Sequence, residues 1–276
     1  MNISKLSENV CLLKKEFSRI YGGTSHIQEI IPLDTSDDIP IPKNHLKLLH
    51  LFAEKNPIYY NFYNETISGK PCVVYEGDIN DYWLNSIKHG SSCQPFYPTW
   101  IISAYIMATV AKNQGYVESI DIGSGDGRIA YCAHVIGMTS HGIEIDDVLV
   151  KLQKQIVDST QINFDPRCVD ALEFDYGSLR LTKPAFFIGG LPQMGGDVLA
   201  TSIIDKINLI PNLKKNTCIV FAGSHSKRQL SGNQKIGGWS SLIDKHNLTE
   251  TNTVSLPTVW TFDQEIDTPY IYTVFN

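Results

Sequence analysis

The stretch VESIDIGSGDGRI, residues 117–129, decides the fold of this chain. An apolar run that ends on the carboxylate of Asp121 passes directly into a turn with glycine at every second position. A helical pattern follows from residue 129 to residue 136 and stops at Gly137. Strand, glycine-rich turn and helix open a Rossmann-like unit, in which glycines let the backbone approach a ligand at the helix N-terminus. The stretch therefore predicts a ligand-binding loop at the carboxyl end of a parallel strand.

The spacing of the glycines distinguishes between ligands. A dinucleotide fingerprint requires G-x-G-x-x-G, and its third glycine would stand at the position of Arg128. The pattern is instead D-x-G-x-G-x-G over residues 121–127. It resembles the first motif of the class I S-adenosylmethionine-dependent methyltransferases. Arg128 thus disfavours the alternative of an NAD-dependent oxidoreductase.

Three further predicted strands agree with this resemblance. Residues 142–146 (GIEID) end in acid, where a nucleotide-binding sheet places a carboxylate on the ribose hydroxyls. Residues 167–171 (RCVDA) predict a third strand with Asp170 at its end, and residues 184–190 (PAFFIGG) predict a buried fourth strand. Taken singly, a glycine turn is often only a turn, and an acid after a strand is often a helix cap. The set together is far more specific.

The resemblance implies an α/β fold, a Rossmann-like methyltransferase sheet with helices on both faces and a C-terminal antiparallel hairpin. The hairpin falls on two β-rich runs, residues 251–260 and 269–275. We expect this domain to span residues 94–276. Residues 1–93, which begin with an amphipathic helix at 4–21, predict a small N-terminal α+β extension that shapes the acceptor site or an oligomer contact.

The resemblance also implies roles for individual residues. Asp121 would contact the amino group of S-adenosylmethionine, and Glu144 would take its ribose hydroxyls. Asp170, with the amide of Ala171, would take the adenine. The cofactor-binding residues expected on this basis are Tyr97, Thr99, Asp121, Gly123, Ser124, Gly125, Gly127, Glu144, Ile145, Asp170, Ala171, Gly189 and Gly190. No catalytic residue and no metal ligand is assigned.

The segment QPFYPTW, residues 94–100, precedes an apolar helix that ends near Gly115. It resembles a Pro-Thr loop that lies over the methionine end of the cofactor, most closely in the non-SET histone-lysine methyltransferases and their archaeal relatives. Those proteins also carry a D-x-G-S-G-x-G loop. Tyr97 and Thr99 would reach the cofactor from this segment. The alternative is a structural helix cap with an aromatic ring packed beneath it.

The loop after the fourth strand, residues 189–194 (GGLPQM), bears on the methyl acceptor. Family members that methylate exocyclic base amines or glutamine side chains carry an Asn/Asp-Pro-Pro-aromatic box there, of which this chain retains a single proline. The departure counts against those two acceptor classes and leaves no obvious general base. An acceptor with its own lone pair, such as a neutral amine or a thiol, suits the site best. His134 and His225 are candidate bases by residue type only, and a packed or solvated histidine is the favoured interpretation of each.

Two other groups of residues bear on the acceptor. Lys227, Arg228 and Lys235 suit an anionic substrate, although a solvated surface loop is the simpler interpretation. The aromatic residues of the segment 59–63 suit stacking on a planar substrate, although such residues more often belong to the core and surface of a folded extension.

Composition narrows the class of protein. The 276 residues carry a formal net charge of −6, with 42% hydrophobic and 19% charged residues, so we expect no global attraction to nucleic acid or to an anionic membrane. No apolar run approaches the ~20 residues of a membrane span, and the charged first helix is unlike a signal peptide. The six cysteines are scattered without a C-x-x-C pair, which predicts reduced thiols in a cytoplasmic protein.

The sequence therefore predicts an enzyme, an S-adenosylmethionine-dependent methyltransferase that moves a methyl group by in-line displacement to an acceptor it does not identify. A protein side chain or a small molecule is favoured over nucleic acid as the acceptor. The alternatives are an RNA methyltransferase and a non-catalytic protein that binds S-adenosylmethionine or another nucleotide.

Overall fold

The computed structural model describes residues 2–86, 96–224 and 236–276. The helices in this part of the chain are α1 (Ile3–Ile20), α2 (Lys43–Lys55), α3 (Asn80–Ser86), α4 (Ile101–Asn113), α5 (Arg128–Val135), α6 (Asp147–Thr160), α7 (Gly196–Asn208), α8 (Pro211–Asn216) and α9 (Ser240–Lys245). The strands are β1 (Ile27–Pro32), β2 (Tyr59–Ile67), β3 (Lys70–Gly77), β4 (Glu118–Ile122), β5 (Thr139–Glu144), β6 (Asp165–Cys168), β7 (Pro184–Ile188), β8 (Cys218–Ala222), β9 (Leu248–Leu256) and β10 (Thr268–Phe275). They form one seven-stranded and one three-stranded sheet.

The seven-stranded sheet has the order β6-β5-β4-β7-β8-β10-β9. Strands β4 to β8 run parallel to one another, whereas β10 is antiparallel to both β8 and β9. Counted from β4 as the first strand, the order is 3-2-1-4-5-7-6 with the seventh strand reversed. This is a Rossmann-like sheet that ends in a reversed hairpin, so the predicted fold class is confirmed.

Apolar layers cover both faces of this sheet. Along β7, Phe186 and Ile188 pack in the layer that contains Ile203 of α7, whereas Ala185 and Phe187 pack in the layer that contains α4, α5 and α6. Every residue of β7 and β8 is buried. Strands covered on both faces are continuous apolar runs rather than alternating ones, which is why the buried strand at residues 184–188 could be predicted.

The N-terminal extension is a three-stranded antiparallel sheet of order β1-β3-β2 together with α1 and α2. Its apolar side chains belong to the same core as the α4 face of the large sheet. Lys14 on α1 is buried, donates to the carbonyl oxygens of Thr261 (2.9 Å) and Gln264 (2.8 Å), and lies 2.7 Å from Asp267 Oδ1. The extension is therefore α+β, as predicted, and packs directly on the large sheet. The domain boundary predicted at residues 93 and 94 lies outside the described residues.

Some elements differ from the sequence patterns. β1, β2, α3 and α8 are not predicted by them. β6 begins at Asp165 and ends at Cys168, so the predicted third strand is displaced and Asp170 lies in the turn beyond it. The aromatic segment at 59–63 lies on β2, where Tyr60 and Phe62 are about two-thirds exposed (65% and 66%). None of the described helices has the length and apolar character to cross a membrane.

Candidate functional site

A cavity of about 440 Å³ opens at the carboxyl ends of the parallel strands, a size within the range of small-molecule sites. The predicted residues that line it are Tyr97, Thr99, Asp121, Gly123, Ser124, Gly125, Glu144, Ile145, Asp170, Ala171, Gly189 and Gly190. Gly127 is the predicted residue that does not line it. The structure thus gathers residues from five separate segments of the chain around one space.

The glycine loop after β4 leaves its main chain open to the cavity. Gly123 and Gly125 have positive φ angles of 68° and 57°, a conformation that L side chains rarely adopt. A Cβ atom at Gly123 would meet no heavy atom within 4 Å, whereas one at Gly125 would lie 2.5 Å from the ring of Phe96. The backbone at Gly123 is therefore accessible to a ligand, and the absence of a side chain at Gly125 lets the ring pack on the loop.

Gly127 lies outside the cavity lining and has a structural role. It is the N-cap of α5, with φ 80°. A Cβ atom there would lie 2.6 Å from the ring of Phe164. Gly127 is therefore needed for close packing behind the loop. The D-x-G-x-G-x-G pattern alone does not show whether a glycine contacts a ligand or allows such packing.

Glu144, at the end of β5, holds its carboxylate against the glycine loop. Oε2 accepts the N–H of Gly125 (2.8 Å), and Oε1 accepts the N–H groups of Ile145 (2.9 Å) and Asp146 (3.0 Å). Burial raises the pKa of this carboxyl, and the three backbone N–H groups oppose that shift. The carboxylate is thus fixed in one orientation at the wall of the cavity, with lone pairs beyond those that the three N–H groups occupy.

Asp121, at the end of β4, is a buried carboxylate with an unmet hydrogen-bonding atom. Its Oδ2 has no hydrogen-bond partner among the described residues. Burial raises the pKa of Asp121 far above its usual range, the nearby charges of Glu144 and Asp126 raise it further, and a hydrogen bond from the backbone of Ala130 opposes the shift. A cation in the cavity would favour the ionised form of this group.

The turn after β6 closes one end of the cavity. Asp170 Oδ1 accepts the N–H of Leu172 (2.8 Å), and Ala171 O accepts the hydroxyl of Tyr176 (3.0 Å). The N–H of Val169 donates to Glu144 O (2.8 Å), which ties this turn to β5. These contacts fix the turn although the strand has ended two residues earlier.

The segment 96–100 contributes residues 96–99 to the wall of the cavity. Thr99 Oγ1 accepts the hydroxyl of Tyr270 (2.9 Å), and the Tyr97 ring meets Trp260 edge to face, with ring centroids 6.4 Å apart. Neither Tyr97 nor Thr99 caps α4, because that helix begins at Ile101 and its N-cap, Trp100, makes no side-chain cap bond. The helix-cap alternative for these two residues is therefore wrong.

The loop after β7 keeps its amide away from the cavity. Gln193 Oε1 accepts the Ser224 hydroxyl in a short hydrogen bond, and Gln193 is not among the residues that line the cavity. His134 lies near the end of α5, outside the cavity, and burial lowers its pKa. The other candidates for contact with an acceptor, His225, Lys227, Arg228 and Lys235, lie outside the described residues.

The sequence patterns miss several residues of the cavity wall, among them Phe96, Leu149, Trp260 and Tyr270. Trp260 and Tyr270 belong to the final β-rich runs, more than 100 residues after the glycine loop. An aromatic residue in such a run looks the same whether it faces the core or a ligand. Their place in the cavity wall follows only from the folded sheet, in which the reversed hairpin brings β10 beside β8.

Comparisons with known proteins give no family. No protein-family model matches this chain, and no curated protein matches it. Among solved structures it is similar to magnesium protoporphyrin IX methyltransferase from Synechocystis PCC 6803 with bound S-adenosylmethionine (11% identity, 64% of this chain and 78% of that chain, TM-score 0.45). It is also similar to ribosomal protein L11 methylase from Lactobacillus delbrueckii subsp. bulgaricus (11% identity, 67% and 84%, TM-score 0.43).

A third similar structure is tRNA (uracil-54, C5)-methyltransferase from Pyrococcus abyssi in complex with S-adenosylhomocysteine (12% identity, 62% of this chain and 38% of that chain, TM-score 0.45). These three proteins methylate different kinds of acceptor according to their names. Similarity at this level carries no argument about what the present chain binds or modifies.

Proposed function

We propose that this protein is an S-adenosylmethionine-dependent methyltransferase whose cofactor occupies the cavity at the ends of β4, β5 and β7. The observation that carries the proposal is the unpartnered, buried Oδ2 of Asp121 beside the open main chain of Gly123. A buried carboxylate oxygen without a partner is costly unless a ligand meets it. The cationic amino group of S-adenosylmethionine is such a ligand.

The other residues of the cavity fit the remaining parts of the cofactor. Glu144 presents a carboxylate whose orientation is fixed by three backbone N–H groups, as the two ribose hydroxyls require. Asp170 and the Ala171 amide would take the adenine edge, and Ile145 with Leu149 would supply apolar walls for its ring. The fit therefore covers the adenosyl end and the amino acid end.

S-adenosylmethionine supplies a methyl group on a sulfonium, which is a good leaving group, so little acid–base assistance is needed at the donor side. The chain's own task is to hold donor and acceptor in line and to exclude water. Gly189 and Gly190, after β7, line the cavity, and the contacting rings of Tyr97 and Trp260 form another part of its wall. These groups would bind and orient rather than transfer protons.

We infer an acceptor that is already nucleophilic at neutral pH, on a protein side chain or a small molecule. Two ionisable residues of the cavity wall, Asp126 and Arg128, bond to each other, so neither is free to accept a proton from the acceptor. Tyr270 does not serve as a base at neutral pH, because burial raises the pKa of its phenol and keeps it protonated. The acceptor amide of the Asn/Asp-Pro-Pro-aromatic box has no counterpart here, because Gln193 bonds to Ser224. These contacts disfavour an exocyclic base amine as the acceptor.

The same contact of Gln193 also favours a second candidate, a non-catalytic protein that binds S-adenosylmethionine. In that case the loop after β7 would have lost the groups that receive a substrate. Binding of cofactor does not separate the two functions, whereas turnover does.

The test is incubation of the protein and labelled S-adenosylmethionine with an extract of the source cells, followed by separation of protein, RNA and small-metabolite fractions. We expect label in the protein or the small-metabolite fraction, and much less label with the Asp121→Asn variant when the cofactor concentration lies below the dissociation constant of the wild type. Label in RNA would mean that the acceptor is RNA and not a protein side chain or a small molecule. Binding without transfer to any fraction would favour the non-catalytic candidate.

A further inference from the structure

A buried ion cluster joins the N-terminal extension to the glycine loop. It consists of Glu29 on β1, Asn56 and Tyr59 from the segment around the start of β2, and Asp126 and Arg128 from the glycine loop and α5. The side chains of Glu29, Asp126 and Arg128 are at most 3% exposed. The three charges therefore depend on one another for stabilisation.

Arg128 uses its whole guanidinium group within this cluster. Nε donates to Asp126 Oδ1 (2.9 Å), and Nη2 donates to Asp126 Oδ2 in a short hydrogen bond and to the Tyr59 hydroxyl (3.4 Å). Nη1 donates to Glu29 Oε2 (3.0 Å) and, in a second short hydrogen bond, to the carbonyl oxygen of Thr99. Arg128 thus bonds both to the glycine loop, at Asp126, and to the segment 96–100, at Thr99.

Glu29 is the acceptor on which these contacts converge. Its Oε2 accepts Arg128 and the Tyr59 hydroxyl (2.8 Å), and its Oε1 accepts the backbone N–H of Ile101 (2.6 Å). Ile101 is the first residue of α4, whose N-cap, Trp100, makes no side-chain cap bond. One carboxylate of the extension therefore supplies the helix with an acceptor and fixes the arginine at the same time.

We infer that Glu29 is a positioning residue for the cofactor site, acting through Arg128 on the glycine loop and through Ile101 on the segment 96–100. The inference rests on the proposed function, because both of these segments line the proposed cofactor cavity. Glu29 itself does not line the cavity. The extension is then part of the binding machinery of the large sheet rather than an appendage that meets the acceptor alone.

A buried ion pair does not by itself add stability, since removal of its charges from water offsets much of the attraction. Glu29 differs from an ordinary buried ion pair because its partners, Arg128 and Ile101, belong to or adjoin segments that line the cavity. Lys14 provides the matched contrast, because it too is a buried charge of the extension that bonds to three groups of the large domain. Its partners are Thr261, Gln264 and Asp267, none of which lines the cavity.

The test compares Glu29→Gln with Lys14→Met in the full chain, first by hydrogen exchange. Glu29→Gln keeps the size of the side chain and replaces one of its two acceptor oxygens by an NH2 group that can only donate. We expect the amides of residues 121–131 and 101–104 to exchange about tenfold faster in this variant, and to be unchanged in Lys14→Met. Equal exchange in the wild type and in Glu29→Gln overturns the inference, and this result needs no ligand.

The second readout is the dissociation constant for S-adenosylhomocysteine. We expect Glu29→Gln to bind it about tenfold more weakly than the wild type. Lys14→Met should bind it as the wild type does, even if its Tm is lower. An unchanged constant in Glu29→Gln overturns the inference. If the wild type itself does not bind, the proposed function fails, and the exchange experiment alone decides whether Glu29 positions the loop.

Tyr59→Phe keeps the test available if Glu29→Gln does not fold. It removes a neutral donor to Glu29 Oε2 and leaves the charges in place. We expect a smaller loss of affinity, about threefold. Wild-type exchange and affinity in every folded variant of this pair contradict the inference.

Discussion

The carboxylate of Glu144 accepts the backbone N–H of Gly125 at 2.8 Å, which links the end of β5 to the glycine loop after β4. Glu144 is the last residue of β5, and Gly125 lies in the loop that follows β4. These two strands are parallel neighbours, so their carboxyl ends meet at the same edge of the sheet. The acid at the second strand therefore shapes the loop as well as facing the cavity. A ligand that contacts one of these groups is placed beside the other.

Replacing Glu144 by Gln should weaken S-adenosylhomocysteine binding by about 1–3 kcal/mol, because an amide meets the pair of ribose hydroxyls less well than a carboxylate. Isothermal titration calorimetry measures this change. Glu118→Gln is the matched control: its carboxylate accepts three donors from Thr182 and Lys183 at the other end of β4. A similar loss of affinity in both variants would show that the effect is general loosening of the sheet.

Replacing Asp121 by Asn should change stability and affinity in opposite directions. Without ligand, the variant loses an unpartnered buried carboxylate, so we expect its Tm near neutral pH to rise by about 3 °C. With ligand, it loses the partner of the cofactor's amino group, so binding of S-adenosylhomocysteine should weaken about tenfold. Methylthioadenosine, which lacks the amino acid part, should bind both proteins equally. Equal weakening for both ligands would assign Asp121 to another part of the cofactor.

Alanine at the glycines of the loop should separate backbone strain from loss of space. Gly123→Ala and Gly69→Ala both place a methyl group at a positive φ with no heavy atom within 4 Å, so each should lose about 1–2 kcal/mol of unfolding free energy. Gly123→Ala should in addition weaken S-adenosylhomocysteine binding, because Gly123 lines the cavity. Gly125→Ala should lose more stability than either, since its methyl group meets Phe96. Chemical denaturation and calorimetry give the two quantities, and normal affinity in Gly123→Ala would exclude a ligand near that residue.

The pH dependence of stability should reveal the ionisation of Glu29. Burial raises its pKa from 4.5 to about 7, and the Arg128 charge opposes the shift. The native state then holds a proton that the unfolded state releases, so the stabilisation is complete below about pH 4.5 and is lost as the pH rises through about 7. The Tm of the wild type minus that of Glu29→Gln should therefore fall by several degrees from about pH 5 to about pH 8.

The subtraction removes the other titrating groups that both proteins share. Burial lowers the pKa of several histidines, which act in the opposite direction below about pH 6.5: His45, His50, His134 and His246. A Tm difference that does not vary with pH would mean that Glu29 keeps one protonation state throughout this range.

Much of the large sheet could be predicted because its signals are local. β4, β7 and β8 are apolar runs, and Asp146 accepts the N–H groups of Val148 and Leu149 as the N-cap of α6. The turn after β4 carries its glycines where positive φ angles occur. Each of these features is set by a few neighbouring residues, so a pattern in the sequence is enough to find it.

The rest depends on contacts between distant parts of the chain. Glu29 lies 99 residues before Arg128, and nothing in the segment IQEIIP indicates that its acid bonds to the arginine that follows the glycine loop. The sequence pattern places the end of β6 too late because the strand is limited by its pairing with β5, from His141 to Glu144. Arg128 could be recognised as a departure from the dinucleotide fingerprint, but its structural role appears only once the extension is folded against it.

The measurement that tests this account most directly is a calorimetric titration of the wild-type chain with S-adenosylhomocysteine, run beside one with NADH. We predict that one molecule of S-adenosylhomocysteine binds per chain with micromolar affinity, and that NADH gives no binding heat. Binding of NADH, or no binding of S-adenosylhomocysteine up to about 1 mM, would contradict the assignment of this cavity to an adenosyl sulfonium cofactor.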